Sequence, residues 1–600
     1  MARTAPVPNI PPIPGMCPSI AVLGGGGDGG GGGGNGAGSG NGNGPGSGGA
    51  AGDAAAGDGR NANGSSCGSP STGQSRCSRH NPSVSRGDPV DVLSGSVDCG
   101  PEVVVELPSA FPLHWVRSYC SVAAQRDVGL GHGWAHTLGW SLRLRRDAVE
   151  VSTPEAKRLT FSRLAPGNQE IVQGVRLRRV LPGSWEVLRD DLYFYLESSD
   201  PRGDEAELCR VRDRHGNEIR CLRDADGLRE LIDAAGRRLV LRRERGRIVE
   251  VVIVVGSEQW RVASFVYDDD GDLRRAVDAD GFHFEYDYLD HRMIRQRRPD
   301  GVVYRYRYAN DGRCIETWGE DPIGTGRWLD QDARRAGPEP HADSRARFLW
   351  CRFARDADGY TEVSDSVGAQ KFSGTPDGRI EKAVARGVTE RRFDDRGFPV
   401  AEVRPSGAAT TWRRDDYGRI IERTDPLGAT TRVERNVDGD VLRITGPEGI
   451  VAEFERDARG NIETATDPSG SVASFQYDSR GLLTGFCDRT GARWELGYDG
   501  HGNLVHVVAP GARRWSFEYN ALGQCTATVQ PLGGRTVFKW SVRGDLLERA
   551  SQYGVTRYEW DGERRPTAQH SADGTSGRLV WAGPGRLCDI QKPDGTTVEL

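Results

Sequence analysis

The sequence contains no long hydrophobic run. Its most apolar segment, Ile248 to Val255, is interrupted by Glu250 and is far shorter than the roughly 20 residues of a membrane-spanning helix. The start of the chain, Met1 to Pro8, lacks the apolar core that a secretory signal peptide needs. The sequence therefore predicts no membrane span, and it predicts that any export from the cell is independent of the Sec route.

A basic domain and a disulfide framework are also lacking. The 600 residues carry a net charge of −6 with a pI of about 6.1, and acidic residues are interleaved with the arginine clusters. This balance does not favour binding to nucleic acid. The 12 cysteines are scattered along the chain and do not indicate a disulfide-bonded fold.

No catalytic motif is found. The sequence has no phosphate-binding loop, no His-Glu-x-x-His and no EF-hand loop, and it has no Gly-x-Ser-x-Gly outside the low-complexity segment 24–85. Cysteines in strand-like segments are expected to be small buried residues and not nucleophiles. We therefore predict that the chain is not an enzyme and has no catalytic residue, cofactor or metal ligand. The cysteines concerned are Cys209, Cys221, Cys314, Cys351, Cys487, Cys525 and Cys588.

Two segments of low complexity begin the chain. Residues 1–23 are rich in proline, and residues 24–85 consist mainly of Gly, Ala, Asn and Ser. The second segment buries too little apolar surface to offset its chain entropy, so it is predicted to be a disordered linker. Cys67, Cys77 and His80 lie within it, but four well-spaced ligands for a metal are missing.

Residues 86–160 are predicted to form a small β-rich domain. Val103 to Leu107 and Leu113 to Tyr119 alternate apolar and polar residues, as half-buried strands do. His132 and His136 have the spacing of a helical ligand pair. Three glycines in the same window disfavour a helix, and we predict a Gly-rich turn that packs Trp134.

The decisive pattern is an internal repeat of 21 residues. A first series of glycines and a second series halfway between them keep this spacing over the second half of the chain. The first series is Gly397, Gly418, Gly439, Gly460, Gly481, Gly502, Gly523 and Gly544, and the second is Gly407, Gly428, Gly449, Gly470 and Gly491.

Each repeat unit predicts two strands and two turns. An aromatic strand such as Trp494 to Tyr498 runs into Asp499 and Gly502, where Asp bonds the turn backbone and Gly takes positive φ. A single hairpin cannot bury its apolar face, so stacked copies must share a core. The expected fold is all-β, with antiparallel hairpin repeats that spiral. Its expected segments are degenerate repeats at 161–318, an irregular insertion at 319–346 and repeats at 347–600.

This pattern resembles the YD (tyrosine–aspartate) repeat of the Rhs, wall-associated and teneurin-like families. The segment from Gly87 to Gly95, the Arg117-Ser118-Tyr119 motif and the glycines that precede Trp134 resemble the domain that commonly precedes Rhs repeats. The structural residues that the resemblance marks are Tyr477, Asp478, Gly481, Tyr498, Asp499, Gly502, Tyr519, Gly523, Gly418 and Gly460.

The resemblance implies a coiled β-shell that encloses a toxin delivered to rival cells. It implies secretion by a contact-dependent machine such as the type VI system, to which the N-terminal region couples, and a secreted or cell-surface location. The Asp-Pro motif that ends such cores is not found, since Asp425-Pro426-Leu427-Gly428 is in register with the turns and Asp321-Pro322-Ile323-Gly324 is only superficially similar.

The expected function is therefore the structural shell of an Rhs-type toxin without its C-terminal toxin. The expected partners are a separately encoded Rhs fragment or toxin and its immunity protein, with no nucleic acid. The alternative is a surface adhesion protein that contacts carbohydrate or neighbouring cells. Aromatic side chains exposed beyond the needs of the inner face would favour this alternative.

Overall fold

The computed structural model describes residues 85–86, 89–200, 203–320, 347–357, 359–365, 368–374, 380–384, 387–582, 586–591 and 596–599. The proline-rich segment 1–23, nearly all of the linker 24–85 and nearly all of the insertion 319–346 lie outside the described residues. So do Cys67, Cys77, His80 and the Asp321–Gly324 segment.

The described residues form strands and two short 3-10 turns, Ser121–Ala123 and Pro447–Gly449. The prediction of an all-β fold of antiparallel hairpins is confirmed. The first five strands lie apart from the main sheet: β1 (Ser85–Arg86) pairs with β2 (Val90–Asp91), and a three-stranded sheet contains β3 (Asp98–Leu107), β4 (Leu113–Cys120) and β5 (Trp134–His136). We call residues 89–140 the N-terminal module.

All later strands belong to one antiparallel sheet in which each strand neighbours the next along the chain. Its early strands are β6 (Ser141–Leu144), β7 (Ala148–Ser152), β8 (Arg158–Ser162), β9 (Gln169–Val172), β10 (Val175–Leu181), β11 (Ser184–Arg189), β12 (Leu192–Glu197), β13 (Glu205–Arg212), β14 (Glu218–Asp224), β15 (Gly227–Ile232), β16 (Arg238–Glu244), β17 (Arg247–Val255), β18 (Glu258–Tyr267), β19 (Leu273–Asp278), β20 (His283–Leu289), β21 (Arg292–Arg297), β22 (Val303–Tyr308) and β23 (Cys314–Glu320).

The late strands continue the same meander. They are β24 (Arg347–Arg355), β25 (Thr361–Asp365), β26 (Ala369–Gly374), β27 (Ile380–Val384), β28 (Val388–Phe393), β29 (Pro399–Val403), β30 (Ala409–Arg414), β31 (Ile420–Thr424), β32 (Thr430–Arg435), β33 (Val441–Thr445), β34 (Val451–Arg456), β35 (Ile462–Thr466), β36 (Val472–Tyr477), β37 (Leu483–Cys487), β38 (Arg493–Tyr498), β39 (Leu504–Ala509), β40 (Arg513–Tyr519), β41 (Cys525–Val529), β42 (Arg535–Trp540), β43 (Leu546–Ser551), β44 (Gly554–Trp560), β45 (Pro566–His570), β46 (Ser576–Ala582), β47 (Arg586–Gln591) and β48 (Thr597–Glu599).

The sheet coils because one strand has two partners on the same edge. Residues 205–207 of β13 pair with β6, whereas residues 210–212 pair with β14. The pairing of β13 with β6 closes the eight strands β6 to β13 into a ring. Strand β14 then starts the strip that continues outside this ring. Such a coil leaves few unpaired sheet edges, which would otherwise attract other chains.

The core lies on the inner face of the early strands. Alternate side chains there are almost inaccessible, for example Val149, Val151 and Phe161, and the N-terminal module packs against the same core. A second, smaller core of aromatic and aliphatic residues joins strands β37 to β41, around Trp494 and Phe517. Each large apolar side chain buried in this way contributes roughly 1.5–3 kcal/mol.

Candidate functional site

Each repeat turn is held by one aspartate and one glycine. In the turn between β36 and β37, the Oδ1 atom of Asp478 accepts the backbone N–H groups of Arg480 (2.9 Å) and Leu482 (3.0 Å). Gly481 adopts φ +80 there, a conformation that glycine takes without steric cost. Burial alone would raise the pKa of Asp478, but the hydrogen bonds from Leu482 and Arg480 outweigh it, and the pKa is lowered.

The glycines of both predicted series share this conformation. Those of the first series have φ between +79 and +94, and those of the second series have φ between +80 and +85. The turn at Asp425 has the same geometry, since its Oδ1 accepts the N–H groups of Leu427 and Ala429 at 2.8 and 2.9 Å. The segment from Asp425 to Gly428, which was compared with the Asp-Pro motif at the end of Rhs cores, is therefore an ordinary repeat turn.

The tyrosine of the repeat fastens one hairpin to the one before it. The hydroxyl of Tyr498 donates to the carbonyl of Leu483 (3.0 Å), and that of Tyr519 donates to Leu504 (2.8 Å). In both cases the acceptor lies 15 residues earlier, beside a turn where the strand register shifts. Tyr477 occupies the same position in its repeat, and burial raises its pKa.

Arginine and tryptophan replace tyrosine in other repeats and make the same contact. Arg414 donates from Nε to the carbonyl of Pro399 (2.9 Å), and Trp540 donates from Nε1 to that of Cys525 (2.5 Å). Sequence reasoning missed these residues because it searched for tyrosine or phenylalanine at this position. The shared property is a long side chain with an N–H or O–H donor, and the 21-residue spacing would have identified it. Further members are Arg435, Arg456 and Trp581.

Removal of one such donor is expected to weaken the local hairpins. Tyr498→Phe leaves the Leu483 carbonyl without this donor and is expected to cost about 1 kcal/mol of unfolding free energy. Tyr553→Phe is the control, because Tyr553 is 87% exposed and its loss should change stability by much less. Urea denaturation followed by tryptophan fluorescence measures both variants, and equal effects would contradict the structural role of the Tyr498 hydroxyl.

Turns of the early strands contact turns of the late strands along a row that we call the seam. Arg214 Nη1 lies 2.7 Å from Asp440 Oδ1, and Arg543 Nη1 lies 2.9 Å from Asp278 Oδ2. Arg298 and Glu563 form another ion pair across the seam. The partners are 226 to 265 residues apart in the chain. The seam therefore joins successive coils of the strip into a wall.

Arg237 is the most buried arginine among the described residues of the seam. Its side chain is 2% exposed and donates to Asp233 Oδ2 (2.7 Å), whose side chain is inaccessible. It also donates to the carbonyl of Leu522 (3.1 Å) in a late turn and to that of Pro108 (2.6 Å) in the N-terminal module. One guanidinium thus joins three parts of the molecule.

The predicted glycines lie at several contacts of the seam. A Cβ atom on Gly460 would approach the Arg214 guanidinium to 2.3 Å, and one on Gly481 would approach the His215 ring to 2.4 Å. The turn of Asp499 and Gly502 and the turn of Gly523 face the N-terminal module. A Cβ there would lie 2.6 Å from the nitrogen of Ala110 or 2.7 Å from Pro108. Gly418 packs instead against Phe398 within the late strands.

Arg117, from the Arg-Ser-Tyr motif, anchors the N-terminal module to the early strands. Its side chain is 3% exposed, pairs with Glu102 and donates to the hydroxyl of Tyr286 (2.7 Å). The guanidinium carbon lies 4.5 Å from the centre of the Trp134 ring. Burial raises the pKa of Glu102 despite the opposing charge of Arg117, so this carboxylate depends on its arginine partner.

The structure separates the two histidines that have helical spacing. His136 is in strand β5, is 3% exposed and packs against Trp115 with ring centres 5.5 Å apart. His132 lies in the preceding loop, where it stacks on His291 with ring centres 3.8 Å apart. Trp134 is 1% exposed, as the packing of the Gly-rich turn predicts.

His136 is expected to make the protein sensitive to acid. Burial lowers its pKa to about 3, whereas an unfolded histidine has a pKa of about 6.5. The unfolded chain therefore binds the extra proton first, and stability falls as the pH decreases from about 6.5 towards 3. We expect the free energy of unfolding to fall by roughly 3 kcal/mol between pH 6.5 and pH 4 because of this group. His136→Phe should remove this part of the pH dependence. A denaturation midpoint that shows the same pH dependence in wild type and variant would contradict the assignment.

Several of the described strand cysteines are buried and have a raised pKa, which is the opposite of a reactive thiol. Cys221, Cys314 and Cys351 are buried, and burial raises the pKa of Cys221 and of Cys314 to about 12. A thiolate is therefore scarcely populated at neutral pH. Cys209, Cys487 and Cys525 are half-buried. Cys588 lies in β47, but the surroundings of its side chain fall outside the described residues.

Comparison with known families agrees with these features. A model described as "Domain of unknown function (DUF6531)" matches residues 87–161. The RHS Repeat model matches residues 393–430, 435–472, 477–514 and 498–535. The matches cover the N-terminal module with the first strands of the main sheet, and the most regular late repeats.

Three curated relatives match part of the chain. "Probable deoxyribonuclease RhsA" of Dickeya dadantii (strain 3937) is 26% identical over 255 residues, which is 40% of this chain and 17% of the relative. "Probable deoxyribonuclease RhsB" of the same strain is 25% identical, over 53% of this chain and 21% of that relative. "Double-stranded DNA deaminase toxin A" of Burkholderia cenocepacia (strain H111) is 27% identical, over 38% of this chain and 17% of that relative. The chain spans about a fifth of the length of these relatives.

A similarity to solved structures is weaker. The crystal structure of TcdB2–TccC3 aligns with a TM-score of 0.32 and 9% identity, over 81% of this chain and 41% of that chain. Within the described residues, no helix has the length and apolarity that a membrane span requires.

The Rhs repeat matches and the curated relatives, together with the strand and turn pattern, show that the chain is an Rhs/YD-repeat protein with a DUF6531 domain before its repeats.

Proposed function

We propose that this chain is a non-enzymatic wall segment of an Rhs-type toxin shell. The observation that carries the proposal is the seam, in which turns 226 to 285 residues apart are joined by charged and backbone hydrogen bonds. A strip that binds its own earlier coil forms a continuous wall, whereas an open strip would leave its edges unpaired. Arg237 and Asp233 are buried in this joint, with side chains that are 2% and 0% exposed.

The inner face of the late strands supports an enclosing role. Along β30, β32 and β34, alternate apolar side chains such as Trp412, Val433 and Phe454 are only half-buried. In a closed domain such residues would be covered by a second layer. We propose that a polypeptide enclosed by the shell covers them.

The relatives' names suggest what this polypeptide is. Two are named as deoxyribonucleases and one as a DNA deaminase toxin. We propose that such an activity belongs to a toxin domain that is distinct from these repeats, and that a toxin, its immunity protein or a further Rhs fragment is the partner. Export by a Sec-independent, contact-dependent route such as type VI secretion, with the N-terminal region as the coupling element, is part of the same proposal.

The adhesion alternative gains no support from the surface. Carbohydrate-binding surfaces present aromatic rings to solvent, because the face of a ring packs against a sugar. Among the described residues, Tyr553 is the aromatic side chain with an exposed ring, at 87%. The other described aromatic side chains are buried or half-buried.

Affinity purification of the tagged chain from its native host tests the proposal. We expect a polypeptide with Rhs repeats or a nuclease or deaminase domain to co-purify in a fixed ratio, and intact mass identifies it. Limited proteolysis of that complex should leave the partner protected. A partner that is digested as fast as the free polypeptide, or a chain that purifies alone, would contradict an enclosing function.

A variant with an open seam provides the matched control. Arg214 Nη1 lies 2.7 Å from Asp440 Oδ1, and Arg214→Glu replaces this ion pair by two negative charges across the seam. It should release or expose the partner, whereas Arg220→Glu, on an exposed side chain of β14 (54% exposed), should not. Equal protection in both variants would show that the seam does not enclose the partner.

A further inference from the structure

Three side chains from distant parts of the chain meet where the N-terminal module contacts the early strands. His132 lies in the loop before β5, Asp272 in the turn between β18 and β19, and His291 in the turn between β20 and β21. Their potential ligand atoms all lie within 4.8 Å of one another. His291 Nδ1 is 3.0 Å from Asp272 Oδ1, and the two imidazole rings are stacked.

The glycines of the loop make this approach possible. A Cβ atom on Gly131 would lie 3.0 Å from both the carbonyl oxygen of Gly271 and the nitrogen of Leu273. Any larger residue would push the loop away from the turn that carries Asp272. The loop is also tied down, because the N–H of Ile248 donates to the carbonyl of Gly129 at 2.7 Å. The backbone thus holds His132 against the other two side chains.

The polar atoms of this cluster are incompletely used by the fold. His132 Nδ1 is buried and has no hydrogen-bond partner, which for a polar atom costs about 1–3 kcal/mol. The Asp272 side chain is 4% exposed, and its carboxylate oxygens both face the His291 nitrogen, at 3.0 and 3.1 Å. A cation bound among the three side chains would be coordinated by one ring nitrogen of His132 and would neutralise the buried carboxylate.

We propose that His132, Asp272 and His291 form a Zn²⁺ site that fastens the N-terminal module to the shell wall. Two imidazole nitrogens and one carboxylate are a donor set typical of Zn²⁺, whereas Mg²⁺ and Ca²⁺ prefer oxygen ligands. Ligand atoms of a tetrahedral zinc ion stand about 3.4 Å apart, as follows from bond lengths of about 2.0–2.2 Å. Ligand atoms that are now up to 4.8 Å apart therefore need to approach by up to about 1.4 Å, with the His132 ring turning out of the stack. His291 Nδ1 and Asp272 Oδ1, now 3.0 Å apart, separate by about 0.4 Å.

The site would couple metal binding to docking of the module. One ligand belongs to the module and two belong to hairpins of the wall, so the ion binds well only when the two parts are in contact. This inference is independent of the toxin partner, because it concerns residues within one chain.

The test uses the purified full-length chain, stripped with a chelator and titrated with Zn²⁺. Binding is measured by competition with a chromophoric chelator, the bound ion is counted by elemental analysis, and the unfolding midpoint is recorded. We expect one ion at this site, with a rise in the midpoint. Substitution of Co²⁺ should give a tetrahedral spectrum without a thiolate charge-transfer band.

His291→Gly is the sharpest variant. His291 has φ +62, and the comparable turn has glycine at this position, Gly246, with φ +79. Glycine therefore removes the ligand without straining the hairpin. We expect His291→Gly and Asp272→Asn each to weaken Zn²⁺ binding by about 100-fold or more, and to abolish the zinc-dependent rise in the midpoint. His501→Gln is the control, because His501 is exposed in a late turn, and it should bind zinc as the wild type does.

Two results would overturn the proposal. One is a wild-type chain whose unfolding midpoint and chelator competition do not respond to Zn²⁺. The other is zinc that stays bound in His291→Gly but is lost in His80→Gln, which would place the ion at the Cys67, Cys77 and His80 segment.

Discussion

Arg237→Met is expected to lower the free energy of unfolding by about 3–5 kcal/mol, since removal of one partner leaves a buried charge uncompensated. The charge in question is Asp233, whose side chain is inaccessible to solvent. The carbonyls of Leu522 and Pro108 lose their donor at the same time. Urea denaturation measures the loss, and hydrogen exchange should be faster in the turn of Leu522 as well as in the turn of Asp233.

An exposed ion pair supplies the control for Arg237. Arg535 bonds Glu518, and the two side chains are 49% and 55% exposed, so Arg535→Met should have a much smaller effect. The double variant Asp233→Leu with Arg237→Met removes both charges and should recover much of the stability. If hydrogen exchange rises only around Asp233 and remains unchanged near Leu522, then Arg237 does not join the coils.

Arg117→Met is expected to cost a similar amount, about 3–5 kcal/mol, for the same reason. Glu102 would then be buried without a cation, and its pKa, already raised by burial, would rise further. The N-terminal module should loosen from the wall, because Arg117 also contacts Tyr286 and the ring of Trp134. Fluorescence of the buried tryptophans and denaturation midpoints report this change.

An exposed ion pair is the control for Arg117. Arg143 pairs with Glu205, and both side chains are more than half exposed, so Arg143→Met should change stability by about 1 kcal/mol or less. The double variant Glu102→Gln with Arg117→Met should be more stable than Arg117→Met alone. Equal losses in Arg117→Met and Arg143→Met would show that the buried pair does not anchor the module.

The sequence predicted the local geometry of the repeats well, because each turn is determined by its own residues. Asp478 bonds N–H groups two and four positions later, and Gly481 takes positive φ. These interactions depend on nothing outside the turn, so a 21-residue period of Asp and Gly was sufficient to predict strands, turns and an all-β class.

The site was predicted less completely. The search for tyrosine overlooked Arg414 and Trp540, which make the tyrosine contact with a different donor. The sequence predicted a Gly-rich turn around His132 and no ligand role for it, whereas the two side chains that meet His132 lie 140 and 159 residues further along the chain. Such distances carry no periodic signal, because each partner is in a separate hairpin.

The sequence by itself thus determined the strand length, the turn chemistry and the antiparallel meander. Only the tertiary structure decided how the strip coils, since the split pairing of β13 with β6 and β14 requires both strands to meet one edge. The tertiary structure also decided which turns form the seam and which arginines, Arg117 and Arg237, are buried. The physical reason is that near-identical hairpins can stack in many registers, and only particular side chains 226 to 285 residues apart select one of them.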